Sequence, residues 1–298
     1  MKKKKKINLY KKRKKFWKIF NELVSKTYLT HLIESSLNED IGKGDITTSS
    51  LSLKNDVYSA YIIAKEECII AGIFLVEKIF KKLYKKTKIR IYYYDGEKVK
   101  KGTKIAQIVA PIDVLLKGER VALNFLQHLS GIATLCSKFV KVAKNIKILD
   151  TRKTIPLLRP IQKYAVRVGG GFNHRMGLYD AILIKDNHIK AYGSISEAIR
   201  KAKRKNKKVE IEVKNINEIK QALTANPDIL LFDNFSIKNI KKGIELVKNK
   251  AKIEVSGNIT LNKVKKLAKL KIDAISIGAL THSAHAIDIS MKIDKKIN

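Results

Sequence analysis

Four of the chain's nine arginines, Arg152, Arg159, Arg167 and Arg175, fall within DTRKTIPLLRPIQKYAVRVGGGFNHR (150–175), while most of its 63 basic residues are lysine. Where lysine is the default cation, an arginine marks a place that needs the rigid guanidinium fork, which binds carboxylates and phosphates bidentately. Arg152 with Lys153, and His174 with Arg175, stand at the two ends of this stretch. Lys185 and His188 follow, and carboxylates stand at Glu212 and Asp233, with Asp186 a weaker candidate. Like charges gathered at one mouth repel unless ligands neutralise them. The implied chemistry is recognition of a highly anionic substrate, or more than one, with the carboxylates facing hydroxyls or Mg²⁺. Arg159 and Arg167 lie on a predicted helix, RPIQKYAVRV, and are left unassigned, since facing solvent or pairing locally accounts for them as well as a role in the site does.

These side chains need a frame that brings distant residues together, and the apolar pattern supplies one. From Ile146 onward, short apolar runs (IKIL, AILI, VEIEV, DILLF, IEV, AISI) alternate with helical stretches, which predicts a parallel sheet, open or closed. The runs end in Asp150, Lys185 with Asp186, Glu212, Asp233, Ser256 with Gly257, and Gly278. The steps from Lys185 through Glu212, Asp233 and Ser256 to Gly278 are 27, 21, 23 and 22 residues, about one βα unit each. In a barrel, all such strand ends open onto one face. Glu210 shares the face parity of Glu212 and competes with it, but Glu212 is nearer the C-terminal end. SGN (256–258) and IGA (277–279) each set glycine beside small residues between a strand and a helix, where exposed backbone amides can cradle a phosphate.

The first half differs. LTHLIESSLNED reads as a short helix, IGKGDITT as a glycine-punctuated turn, VYSAYIIAKEECIIAG as strand, and DGEKVKKGTKIAQI as a hairpin. GERVALNFLQHLSGIATLCSKFVKVA has apolar residues at three- and four-residue steps and predicts a long amphipathic helix, with Gly131 as a place for a break. The expected organisation is a basic disordered tail over 1–26, an α/β domain over 27–128 completed by 282–298, and a barrel domain over 129–281. No stretch is long and apolar enough to span a membrane or serve as a secretory signal, and Cys68 and Cys136 lack the spacing of a metal site, so a cytoplasmic location is expected. The formal charge of +36 raises the prospect of a nucleic-acid partner. Outside Lys2–Lys6 and Lys11–Lys15, however, the lysines are dispersed over helix surfaces rather than clustered, which argues against that role.

Taken together, EDIGKGDITT, ERVALNFLQHLSGIAT, DTRKT, KYAVRVGGGFNHR, LIKDNHI, VEIEV, LFDN, SGNI and IGALTHS resemble, in order, the motifs of the quinolinate phosphoribosyltransferase family. The resemblance implies a type II phosphoribosyltransferase fold: an N-terminal α/β sandwich domain and an incomplete α/β barrel of about seven strands. It also implies a homodimer, or an assembly of dimers, with a shared active site. The implied reaction joins quinolinate and 5-phosphoribosyl 1-pyrophosphate to give nicotinate mononucleotide, pyrophosphate and CO₂, with Mg²⁺, in NAD biosynthesis. By position, Arg152, His174 and Arg175 would hold the quinolinate carboxylates, and Arg120 would reach them from a second subunit. Thr151 belongs to the same substrate-binding segment. Lys153 and Lys185 would face pyrophosphate and substrate anions, while Glu212 and Asp233 would face ribose hydroxyls and Mg²⁺. The backbones of Ser256, Gly257 and Asn258 and of Ile277, Gly278 and Ala279 would hold the 5-phosphate. One position departs from the family pattern. The family has Pro-Gly-Leu-Arg where this chain has Pro156-Leu157-Leu158-Arg159, placing a bulky residue where glycine gives free access to positive φ.

Overall fold

The computed structural model describes residues 14–53 and 56–297, which form two compact units. The first comprises the described residues up to Leu135, with Pro160–Gly169 and the segment from Ala284 onward; the second comprises Cys136–Arg159 and Gly170–Ser283. The division falls at 135/136, in the same helix (112–143) as the expected cut at 128/129, and a short piece of the barrel half, 160–169, belongs with the first unit.

Residues 14–23 are helical (α1), which corrects the expectation of a disordered tail through residue 26. Phe16, Ile19 and Phe20 recur at helical spacing and are buried, and the Phe20 ring meets Phe74 at 4.2 Å and Tyr164 at 5.5 Å. Apolar contact on one face outweighs the lysines on the other. The remainder of the expected tail, residues 1–13, lies outside the described residues. Next come α2 (Lys26–Ile41), α3 (Ile46–Ser50), β1 (Val57–Ala64), β2 (Cys68–Ile69), α4 (Ile73–Leu83), β3 (Lys88–Ile91), β4 (Lys98–Val99) and β5 (Lys104–Pro111). The final strand, β12 (Ile289–Lys296), pairs antiparallel with β1, completing a four-stranded sheet ordered β12-β1-β5-β3. The expected hairpin is not formed. Gly96 and Gly102 take positive φ as turn residues, but β4 pairs with β2, whereas β5 pairs with β1 and β3.

Helix α5 (Ile112–Ala143) runs through Gly131 without a break. Glycine is needed there for room: a β-carbon at 131 would stand 2.0 Å from the carbonyl oxygen of His285.

The second unit is built on six parallel strands: β6 (Lys147–Leu149), β7 (Ile182–Ile184), β8 (Val209–Val213), β9 (Ile229–Asp233), β10 (Lys252–Ser256) and β11 (Ala274–Ser276), in the order β6-β11-β10-β9-β8-β7. Phe172 adds a parallel bridge to Leu149 at the β6 edge, so a single residue stands where a seventh strand is expected. The connecting helices are α6 (Arg159–Val168), α7 (Asp186–Tyr192), α8 (Ile195–Lys203), α9 (Ile216–Leu223), α10 (Ile237–Val247), α11 (Leu261–Leu267) and α12 (Ala279–His282). Strand β8 is buried at all five positions, as a parallel strand covered on both faces must be. Ser194, Asn215, Ser236 and Thr260 each accept an amide hydrogen bond from the residue three ahead, starting α8 to α11 shortly after a strand or loop. Each such cap contributes about 1 kcal/mol.

Candidate active site

The C-terminal strand ends surround a cavity of about 740 Å³. It is lined by Thr151, Arg152, Lys153, His174, Arg175, Lys185, Glu212, Asp233, Ser256, Gly257, Asn258, Ile277, Gly278 and Ala279, so fourteen of the fifteen expected site residues meet there. Arg120 does not line it; it is exposed on α5 in the first unit.

The loop after β6 is pinned from several directions. The Thr151 hydroxyl accepts the Lys153 amide at 3.0 Å, and Thr281 donates its hydroxyl to the Lys153 carbonyl at 2.7 Å. Asp150 is fully buried and accepts from Asn173 Nδ2 at 2.5 Å and from the His174 amide at 2.9 Å, joining this loop to the one carrying His174 and Arg175. Arg159 braces the same pair of loops. Its Nε donates to Thr154 Oγ1 at 2.9 Å, Nη1 to the Met176 carbonyl at 2.9 Å and Nη2 to the Arg152 carbonyl at 3.4 Å. This arginine therefore shapes the site from behind, while Arg167 is half-buried on α6 in the other unit.

Arg175 is buried, whereas Arg152, Lys153 and Lys185 are exposed. Its Nη1 donates to the Ala181 carbonyl at 2.9 Å, and its buried Nε has no hydrogen-bond partner among the described residues. Burial, and then the neighbouring Arg152 charge, lower its affinity for its proton, with Glu210 and Asp180 partly offsetting them. A buried donor without an acceptor and a repelling neighbouring cation both call for an anionic ligand.

Opposite, Lys185 Nζ lies 3.0 Å from Glu212 Oε2. Asp233 accepts from Ser256 Oγ at 2.6 Å and from Asn234 Nδ2 at 2.9 Å. Asp186 and His188 are not lining residues: Asp186 pairs with Lys214 at 2.7 Å, and His188 Nδ1 accepts the Lys185 amide at 3.0 Å as part of the α7 cap. Gly257 takes φ +85°, and a β-carbon there would stand 2.1 Å from Asn234 Oδ1, so the turn admits only glycine. Lys263 Nζ donates to its carbonyl at 2.8 Å. Burial depresses the Lys263 pKa against the raising effect of Asp233.

Three lining residues escape the strand-end pattern. Asn234 takes φ +58° and accepts from Asn258 Nδ2 at 3.3 Å, Thr260 caps α11, and His282 brings Nε2 within 3.1 Å of where a Gly278 β-carbon would be. His282 stands in the polar run that follows IGAL, a signal no different from an ordinary helix end. Below the lining, Glu210 and Glu254 face His174 from β8 and β10; burial, then the Glu210 charge, push the Glu254 carboxyl up to about 7.

Residues 132–292 match the family described as quinolinate phosphoribosyl transferase, C-terminal domain, and residues 45–130 match its N-terminal domain. The chain belongs to the quinolinate phosphoribosyl transferase family. Among its relatives, the probable nicotinate-nucleotide pyrophosphorylase [carboxylating] of Bacillus subtilis is 41% identical over 278 residues, covering 92% of this chain and 94% of the relative. The Methanocaldococcus jannaschii protein of the same name is 41% identical over 282 residues, covering 90% and 98%. The solved nicotinate-nucleotide pyrophosphorylase from Francisella tularensis superposes with a TM-score of 0.85 at 42% identity, covering 91% of this chain and 98% of that one. Both domains of this phosphoribosyltransferase family are thus present in one chain, in the α/β architecture its motifs imply.

Proposed function

We propose that the cavity transfers the phosphoribosyl group of 5-phosphoribosyl 1-pyrophosphate to quinolinate and then releases CO₂, giving nicotinate mononucleotide and pyrophosphate for NAD biosynthesis. The observation that carries this reading is Arg175, a guanidinium beside Arg152 whose buried Nε has no partner among the described residues, where a planar dicarboxylate would supply the missing acceptors. The ring nitrogen attacks the anomeric carbon as the pyrophosphate leaves, through a state with positive charge on the ribose. Glu212 and Asp233 stabilise that charge, while Lys153 and Lys185 stabilise the departing anion. The 2-carboxylate then leaves as CO₂; the electron pair of the broken bond stays on C2, stabilised by the adjacent cationic ring nitrogen, and forms the new C–H bond with a proton taken from water. Here the protein orients and screens rather than supplying a dedicated base. The turns at 256–258 and 277–279 offer backbone to the 5-phosphate.

Magnesium fits this donor set, because it is ordinarily held by one or two carboxylates together with substrate phosphates, and Glu212 and Asp233 stand on neighbouring strands of one cavity. Bound there, it would neutralise developing charge on the pyrophosphate. We also assign Arg120 to the site of a second copy in a homodimer or an assembly of dimers. Mixing Arg120→Ala with Arg152→Ala subunits should restore part of the activity each lacks alone, and absence of restoration refutes the shared site. No helix among the described residues is long and apolar enough to cross a membrane, and we place the reaction in the cytoplasm. Steady-state assays with quinolinate and nicotinate side by side test the main reading: quinolinate-dependent CO₂ release supports it, and turnover of nicotinate alone defeats it.

A further inference from the structure

Directly beneath the cavity lies a polar layer that the reaction does not use. Glu210 on β8 and Glu254 on β10, separated by one strand, both face His174. His174 Nε2 is 3.2 Å from Glu210 Oε2 and 3.6 Å from Glu254 Oε1. The two glutamates are only 6% and 3% exposed, and Oε1 of each accepts no hydrogen bond among the described residues. Buried polar atoms without a hydrogen bond are uncommon in a core and call for a physical reason.

The other ring nitrogen shows what they act on. Nδ1 accepts the Arg175 backbone N–H at 2.8 Å. A backbone amide can only donate, so Nδ1 carries no proton, and the proton of the neutral ring sits on Nε2, toward the glutamates. This tautomer decides between three roles for His174. A carboxylate anchor would need an N–H aimed at the ligand, but the ring's N–H is directed into the glutamate layer. A metal ligand bound through Nε2 would carry its proton on Nδ1, which the Arg175 amide already occupies. What remains is a positioning role. The Glu210 carboxylate also attracts the Arg175 charge, so one acid acts on that arginine by two routes.

We infer that Glu210 and Glu254 are positioning residues that hold His174 in its Nε2–H form, so that Nδ1 fixes the Arg175 backbone and keeps the Arg175 fork aimed into the cavity. This deepens the dicarboxylate reading above and revises the anchoring role that the resemblance implies for His174.

Nitrogen NMR of the full-length protein carrying ¹⁵N-histidine tests it without any substitution. His174 should show a proton on Nε2 alone, before and after saturation with quinolinate. A doubly protonated ring, or a proton on Nδ1 in either state, overturns the inference. In kinetics, Glu210→Gln should raise the quinolinate KM about tenfold, leaving kcat and the KM for 5-phosphoribosyl 1-pyrophosphate within about twofold. An unchanged quinolinate KM, or a parallel rise in both KM values, overturns it as well. So does Zn²⁺ or Mn²⁺ binding by the substrate-free protein that is lost in Glu254→Gln. Failure of the wild type to turn over quinolinate would refute the functional reading instead, and the tautomer measurement stands apart from it.

Discussion

The two ends of the six-stranded sheet carry similar residues and put them to different uses. At the N-terminal end, a cavity of about 500 Å³ is lined by Lys203, Asp228, Lys252 and Asp273 among others, so charge and concavity are both present. Its acids, however, are occupied by the sheet itself: Asp228 Oδ2 accepts the Val209 amide at 2.8 Å, and Asp273 Oδ2 accepts the Ile253 amide at 2.9 Å. At the C-terminal end, Glu212 meets a lysine, Asp233 meets two side-chain donors, and Arg175 keeps a buried Nε that no acceptor among the described residues reaches. A strand's first residues expose amides that acids can satisfy locally, whereas its last residues leave side chains to find partners from other loops or from ligands. Concavity and charge occur at both ends, and only unmet bonding capacity separates the functional end from the structural one.

That contrast can be broken by substitution, most severely at Arg175. Arg175→Ala removes a buried charged partner of the ligand and should lower kcat/KM for quinolinate about a hundredfold or more, in keeping with roughly 3 kcal/mol for such a contact. An effect below tenfold would dissolve the distinction between the ends. Next comes Arg152→Lys, which keeps the charge and loses the fork. A quinolinate KM raised at least about tenfold, or ~1.4 kcal/mol, is expected, and unchanged kinetics would show that Arg152 is no anchor. At the opposite end, Asp228→Ala should cost about 1 kcal/mol of stability in denaturant titration while leaving kcat/KM intact, because it strands a strand amide and touches no ligand. A comparable loss of activity there would contradict the assignment.

The smallest effect is expected at Leu157, which takes φ +64° and is 84% exposed. A left-handed leucine costs roughly 1–2 kcal/mol, and glycine recovers part of that while adding unfolded-state freedom of its own. Leu157→Gly should therefore raise stability by about 0.5 kcal/mol. A fall in stability would mean that the exposed leucine makes a contact worth more than its strain.

Much of this is legible in the amino-acid sequence. All six apolar runs from IKIL to AISI became strands, and polar residues at five of their ends line one cavity, while Asp150 at the sixth is buried beneath the loop whose next residues do so. This worked because burial on both faces of a parallel strand forces a continuous apolar run, and because βα repetition makes every strand end on the same side. Asp186 and His188 failed the same test for a local reason: they lie one and three residues beyond Lys185, in the first turn of α7, and were taken up by Lys214 and by the α7 cap. The hairpin at 95–108 failed because turn residues announce a reversal but not the strand each arm pairs with. The helix at 14–23 was hidden under its own lysines, although its buried face was written in the spacing of Phe16, Ile19 and Phe20.

What the amino-acid order determined by itself was therefore the repeating frame and the chemical types at its ends, including arginine where a fork is needed. The tertiary structure alone decided who meets whom. It turned Arg159 inward as a brace, brought His282 into the lining, and set His174 between two glutamates with its bare nitrogen on Arg175. The physical reason is that periodicity reports which face of an element is buried. The partner of a buried polar atom depends instead on distances between segments far apart in the chain, and no local pattern encodes them.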